Sequence, residues 1–230
     1  CVVVISGNVK LADIKALAKK SLPPIPAQAP PPPVHIKEPE QTGERRITVQ
    51  RDVTTPYLSI AYKAPEARHE DYYALVLLSD ILSRGKSSRL YKSLVDDKQL
   101  ATAIFSNYGE SFDPTLFMIN AVTSRGTTEE LLEKAIYEEL EKIKKDGVAD
   151  KELDKVKNQR LMQFYGQVET INGKSNNIGT YELFFGDYRK MFDAPAAYNK
   201  VTAADIRRVA AACFQKSKRT VGILKSQVED

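Results

Sequence analysis

The 230-residue chain holds two Cys, two His and no Trp. The Cys are Cys1 and Cys213, and the His are His35 and His69. Two cysteines cannot build a disulfide framework and say little about redox compartment. A catalytic zinc site takes about three protein ligands, commonly from closely spaced His and carboxylates. The four scattered residues offer no such spacing. No apolar run approaches the roughly 20 residues that a membrane-spanning helix needs. Charge of one sign is also lacking: 34 Lys+Arg oppose 30 Asp+Glu, a formal net charge of +4. That balance is mixed along the chain, and the basic residues do not cluster with aromatics, so nucleic acid is not a favoured partner. With 42% hydrophobic and 28% charged residues, the composition is that of a folded domain.

Proline is unevenly spread. Seven of the twelve lie between Pro23 and Pro33. Proline fixes φ and lacks an N–H, so this stretch reads as a semi-rigid, polyproline-II-like connector. A ligand for a proline-recognition domain is the other reading. Before it, Val2 to Ile5 reads as a buried strand and Asp13 to Leu22 as an amphipathic helix. A start inside a strand, without Met, reads as a piece of a longer polypeptide. Residues 1–22 are then expected to be a strand–helix remnant of a preceding half, 23–44 a linker, and 45–230 a half-domain.

After the linker, Arg46 to Gln50 and Tyr57 to Tyr62 alternate and read as a hairpin or adjacent strands. Asp71 to Leu82 is an apolar helix ended by Gly85. Ser87 is placed to cap a helix over Ser88 to Asp97. Strands follow at Ala101 to Tyr108 and Leu116 to Thr123. Thr127 with Glu130 has capping-box spacing before a helix ending at Gly147. Asp150 is read as the cap of a long helix running, with a weakness at Gly173, to about Phe185. A short helix over Tyr188 to Asn199 is interrupted by Pro195, and Thr202 with Asp205 caps the next. Arg219 to Leu224 closes the chain as a strand. Paired strands followed by paired helices predict an α+β fold: a mostly antiparallel sheet with helices packed on one face.

No self-contained active site emerges. His69 stands at a helix start with Glu66, Glu70 and Asp71, where acids favour the positive end of the helix dipole without any catalysis. Ser6, Ser87 and Ser88 lack a G-x-S-x-G context and a placed His. Gly85 to Ser88 ends like a phosphate-binding loop, but the first glycine of that motif falls on Asp80. The charges from Glu129 to Arg160 form a solvated helix face. Tyr165, Tyr181, Phe184 and Phe185 make a stripe that reads as core, with groove lining as the alternative.

The run G-K-S-S-R-L-Y-K-S-L-V-D-D-K-Q-L-A-T (Gly85 to Thr102), following D-Y-Y-A-L-V-L-L-S-D-I-L, resembles the C-terminal half of the pitrilysin/insulinase zinc peptidases, the inverzincins. It is also similar to mitochondrial processing peptidase subunits and respiratory-complex core proteins. V-V-V-I-S-G-N-V-K-L-A-D-I, T-T-E-E-L-L-E-K-A-I-Y-E-E-L, A-D-K-E-L-D-K-V-K-N and F-Q-K-S-K-R-T-V-G-I-L add to the likeness, which covers nearly the whole chain. The resemblance implies a half-domain of the processing-peptidase type. It implies no catalytic or metal residue and no cofactor in this chain, with zinc and an H-x-x-E-H motif in an upstream half. The implied role is the non-catalytic clamshell wall of a peptide chamber in a zinc metalloendopeptidase. The alternative is a domain of an inactive structural or assembly homologue. Ser88, Arg89, Tyr91, Tyr165 and Tyr181 become candidates for chamber or interface contacts. The implied partners are the chain's own zinc-binding half, a peptide substrate and a homologous second subunit. The implied compartment is a bacterial periplasm or cell envelope.

One departure carries a prediction. Active relatives often hold an Arg–Tyr pair in a pattern like L-R-x-x-x-x-L-x-Y. Aligned on Leu94 and Leu100, those places here hold Val95 and Thr102. A second subunit is therefore expected to supply the pair. Peptide cleavage by the full-length protein should rise steeply when that subunit is added; equal rates with and without it contradict the expectation.

Overall fold

The computed structural model describes residues 2–29, 31–32 and 38–226. Cys1, His35 and Pro33 therefore lie outside the described residues. Five strands form one mixed sheet: β1 (Arg45–Arg51), β2 (Tyr57–Ala64), β3 (Ala101–Asn107), β4 (Thr115–Thr123) and β5 (Arg219–Ser226). Their order is β1-β5-β2-β4-β3, and only the β1–β5 pairing is parallel. The helices are α1 (Leu11–Ser21), α2 (Tyr72–Ser83), α3 (Glu129–Asp146), α4 (Asp150–Glu169), α5 (Ile171–Thr180), α6 (Lys190–Lys200) and α7 (Ala203–Cys213). The expected α+β half-domain with a mostly antiparallel sheet is what forms.

The core follows from the two-residue period of strands. Leu58, Ile60, Tyr62 and Ala64 of β2 and Phe117, Ile119 and Ala121 of β4 are buried against the helices. From the other side come Leu75, Leu77, Leu78, Ile81 and Leu82 of α2, Leu132, Ile136, Leu140 and Ile143 of α3, and Ile206, Val209 and Ala210 of α7. α2 is buried nearly all round, which explains its unbroken apolar sequence. Each such Leu, Ile, Val or Phe side chain contributes roughly 1.5–3 kcal/mol by leaving water.

Several local expectations are corrected. Arg46 to Gln50 and Tyr57 to Tyr62 are not neighbours, because β5 runs between them: Ile47 and Ser59 both pair with Gly222. The long return of β5 satisfies both inner edges, and no local signal at residues 51–55 could announce it. Val2 to Ile5 is not a strand. It passes instead beside α5, where a Cβ at Gly179 would lie 3.6 Å from Val4 Cγ2. Ser87 does not cap a helix; the segment turns at Gly85, where Ser88 Oγ donates to Gly85 O (2.7 Å), and then enters a π-helical run over Tyr91–Asp97. The cap of α3 is Thr128 alone, accepting from Leu131 N–H at 3.3 Å, so the Thr127–Glu130 box does not form. Ala149, not Asp150, occupies the cap position of α4. The long helix breaks at Thr170, which caps α5, and not at Gly173. Gly173 has a different role: a Cβ there would lie 1.8 Å from Gln167 O, so only glycine lets α5 start so close to the last turn of α4. α6 continues through Pro195 with Met191, Ala194 and Tyr198 buried. Thr202 and Asp205 form the reciprocal capping box of α7 as read from the sequence.

Strand β1 is exposed along its whole length, so apolar burial does not hold it. Besides its ladder to β5 it is clasped by charge. Arg46 binds both oxygens of Glu133 on α3, each at 2.7 Å, and Tyr137 O–H donates to Glu133 at 2.6 Å. Arg219 of β5 lies over the Tyr137 ring at 3.9 Å and pairs with Glu44, which also pairs with Arg46 at 3.0 Å. Burial pushes the Glu133 carboxyl upward, but the bonds from Arg46 and Tyr137 outweigh it, and the net shift is downward. A lowered carboxyl stabilises the fold above its unfolded value and loses that contribution as pH falls through its native value. The unfolded value is 4.5. Urea unfolding should therefore give a stability that falls in acid below about that pH, and Glu133→Gln should lose about 1–3 kcal/mol at neutral pH and show a shallower acid decline.

Candidate functional site

The same alternation that builds the core leaves the other half of the strand residues on the opposite face. These positions are half-buried or exposed among the described residues. The register arranges them in rows across the sheet. One row is Val49–Leu224–Tyr57–Val122–Ala103. The next is Ile47–Gly222–Ser59–Asn120–Phe105, and the third is Arg45–Thr220–Ala61–Met118–Asn107. Ile47 is 59% exposed, Phe105 53% and Tyr57 48%. At the centre, Ser59 Oγ donates to Asn120 Oδ1 at 2.9 Å, across neighbouring strands. The open face therefore carries exposed Ile47, Tyr57 and Phe105 around the Ser59–Asn120 pair, with Arg45, Thr220 and Asn107 in the row beside it. No Asp or Glu occupies any of its strand positions.

A cavity of about 1000 Å³ lies at one end of the sheet, lined by Lys63, His69, Asp71, Phe112 and Cys213 among others. Its chemistry is quiet. His69 Nδ1 accepts the Asp71 backbone N–H (3.1 Å), and the Asp71 carboxylate pairs with Arg208 at 2.6 Å. Burial pushes the Cys213 thiol up to about 12, far from a reactive thiolate. Among the described residues, no three His, Cys, Asp or Glu form a group that could hold a metal. The described residues therefore do not fit a zinc site, and His35 lies outside them.

The five candidate residues are not brought together. Ser88 is buried and bonded to its own turn. Arg89 grips both oxygens of Glu152 (2.9 and 2.7 Å) and reaches Gly147 O at 3.2 Å, tying the π-helical segment to the start of α4. Tyr91 is half-buried against the core. Tyr181 is buried and stacked on Phe185 with ring centroids 4.7 Å apart, and burial raises its pKa. Only Tyr165 stands out, 52% exposed on the outer side of the helical layer. Val95 is half-buried against the core, and Thr102 is exposed where the β3–β4 register slips between Ala101 and Ala103. Such a bulge re-aims a side chain.

Sequence reading did not single out Gly222, Ser59, Asn120, Ile47 or Phe105. The alternation in Tyr57–Tyr62 marks which residues face outward, but their grouping depends on long-range register.

The family model described as the peptidase M16 inactive domain matches residues 1–160. The chain belongs to the peptidase M16 family. This bears out the resemblance to the pitrilysin-type zinc peptidases. The zinc protease PqqE of Helicobacter pylori is 32% identical over 228 residues, covering 97% of this chain and 51% of that protein. A solved protease structure from Helicobacter pylori superimposes with a TM-score of 0.89 at 30% identity, over 96% of this chain and 54% of that one. An inactive peptidase domain from Bordetella parapertussis matches with a TM-score of 0.67 at 25% identity, over 76% of this chain and 92% of that one. The M16 chain described here thus spans about half the length of the Helicobacter proteins it matches. It is an inactive-domain member of a family whose relatives are named zinc proteases. No helix among the described residues is long and apolar enough to cross a membrane.

Proposed function

We propose that this domain is the non-catalytic wall of a peptide chamber in a zinc metalloendopeptidase. The zinc and the H-x-x-E-H motif belong to a preceding half, and a homologous second subunit supplies the Arg–Tyr pair that Val95 and Thr102 replace. The observation that carries the reading is the open sheet face. One side of the sheet is closed by α2, α3 and α7, while the other presents exposed Ile47, Tyr57 and Phe105 around a polar centre. Exposed apolar side chains gathered on one sheet face are the kind of surface that meets a partner. On this reading residues 1–22 belong structurally with the preceding half. The exposure of Leu11 (68%) and Leu17 (58%) on α1, which buries no residue, supports that division at the linker of residues 23–44. The bacterial cell envelope is the compartment we infer.

The domain's part in the reaction is to bind and enclose. It moves no proton and offers no nucleophile; it holds a peptide extended and excludes water from one side. The test is Ala61→Trp in the full-length parent with its partner subunit, using a quenched fluorescent peptide. Ala61 lies mid-sheet on the open face, so kcat/KM should fall at least tenfold at unchanged Tm. Met162→Trp, on the 73%-exposed helical side, should leave it unaltered. Equal activity of the two variants contradicts the wall.

A further inference from the structure

The cavity at the end of the sheet has no part in the peptide wall, and its lining is lopsided in charge. Its volume of about 1000 Å³ is at the upper end of the range for small-molecule sites. Leu75, Ala64, Val209 and Cys213 give it an apolar floor. Glu40, Glu66 and Asp113 also line it, and their carboxylates have no ion-pair or hydrogen-bond partner among the described residues. The other acids are matched. Lys63 pairs with Glu38 at 3.1 Å and donates to Pro39 O at 3.1 Å, and Asp71 pairs with Arg208 at 2.6 Å. Lys218 is the one further lysine of the lining, with its Nζ 3.5 Å from Ala212 O. His69 adds no charge while its Nδ1 accepts the Asp71 N–H. Three unmatched carboxylates against one lysine leave the site negative.

Gln41 adds a fixed acceptor. It is 6% exposed, and its amide nitrogen donates to Arg219 O at 2.7 Å and to Gly43 O at 2.8 Å. Two carbonyl partners require the NH₂ end there, so the position of Oε1 follows. No described group donates to Oε1. The atom is not sealed in protein, and Gln41 lines the cavity, so Oε1 opens toward it. An acceptor held in this way calls for a donor.

Acceptors and negative charge over an apolar floor select a donor-rich cation with an aliphatic stem. The carboxylates do not converge into a group that could hold a metal ion. Separate carboxylates are matched instead by separate charges on one flexible chain. A linear polyamine has that form: ammonium groups, which only donate, joined by methylene segments.

We propose that the cavity lined by Gln41 is a binding site for an aliphatic polyamine, with its ammonium groups held by Glu40, Glu66, Asp113 and Gln41 Oε1 and its methylenes laid on Leu75 and Val209. The site is separate from the open sheet face and does not rest on the peptide-wall reading.

Isothermal titration calorimetry of this chain with spermidine tests it, at about 0.15 M ionic strength so that diffuse attraction is screened. Spermidine should bind at one site, while 1,8-octanediol, of similar length without charge, should not. Glu66→Gln should weaken binding about tenfold at unchanged Tm. Ala212→Phe, which fills the cavity from α7, should abolish it. Glu141→Gln, away from the cavity, should leave it unaltered. Wild-type affinity in Glu66→Gln, or an equal loss in Glu141→Gln, means diffuse attraction only and overturns the site. Should Ala212→Phe fail to fold, methyl NMR takes its place: spermidine should shift Leu75 and Val209, and an absence of shifts there overturns the site. Tighter binding of trilysine than of spermidine overturns the polyamine in favour of a basic peptide.

Discussion

A β-strand turns alternate side chains to opposite faces, and in this domain only one of those faces carries a core. Everything else depends on that asymmetry. Leu58, Ile60, Tyr62, Phe117 and Ile119 are driven under α2, α3 and α7 by the loss of apolar surface to water. Their neighbours in the same strands are thereby fixed outward, in register, at no further conformational cost. A rigid open face of this kind suits a binding wall better than a loop surface does, because the backbone beneath it is hydrogen-bonded on both sides in its three inner strands.

The sheet is also held where the core does not reach. β1 buries nothing, yet it forms one margin of the open face and supplies Arg45, Ile47, Val49 and Arg51 to it. Its inner side is fastened by Arg46 to Glu133, and that carboxylate is in turn bonded by Tyr137 beneath Arg219. The charges that looked from sequence like a solvated helix face thus include a structural clasp. Arg89 with Glu152, and Arg160 with Asp80 at 2.7 Å, do similar work at other joints between segments distant in the chain. These pairs account for charged residues that a search for catalysis would otherwise collect.

The parts legible in the sequence were those set by local periodicity and local hydrogen bonds. The apolar run of α2, the alternation of β2, the strand β4 and the Thr202–Asp205 box all formed where they were read. The fold class and the family likeness followed from them and from the Gly85 to Thr102 run. What was not legible depended on contacts far along the chain. Insertion of β5 between β1 and β2 joins residues more than 150 positions apart, so two alternating segments close in sequence looked like a hairpin. The cap of α3 fell one residue from the expected Thr127 and the helix break three residues from the expected Gly173, shifts that composition does not resolve. The candidate residues Ser88, Arg89 and Tyr181 carry the family pattern, yet their side chains serve turns, ion pairs and core.

The central claim is that the open sheet face, and not the helical side, meets a peptide. Methyl-resolved NMR of the chain during titration with an extended peptide tests it most directly. The account predicts shifts at Ile47, Val49, Met118, Val122 and Leu224, with Ile60, Ile119 and Val221 beneath the sheet changing little. Shifts confined to helical-side groups such as Met162 and Leu183 would contradict it.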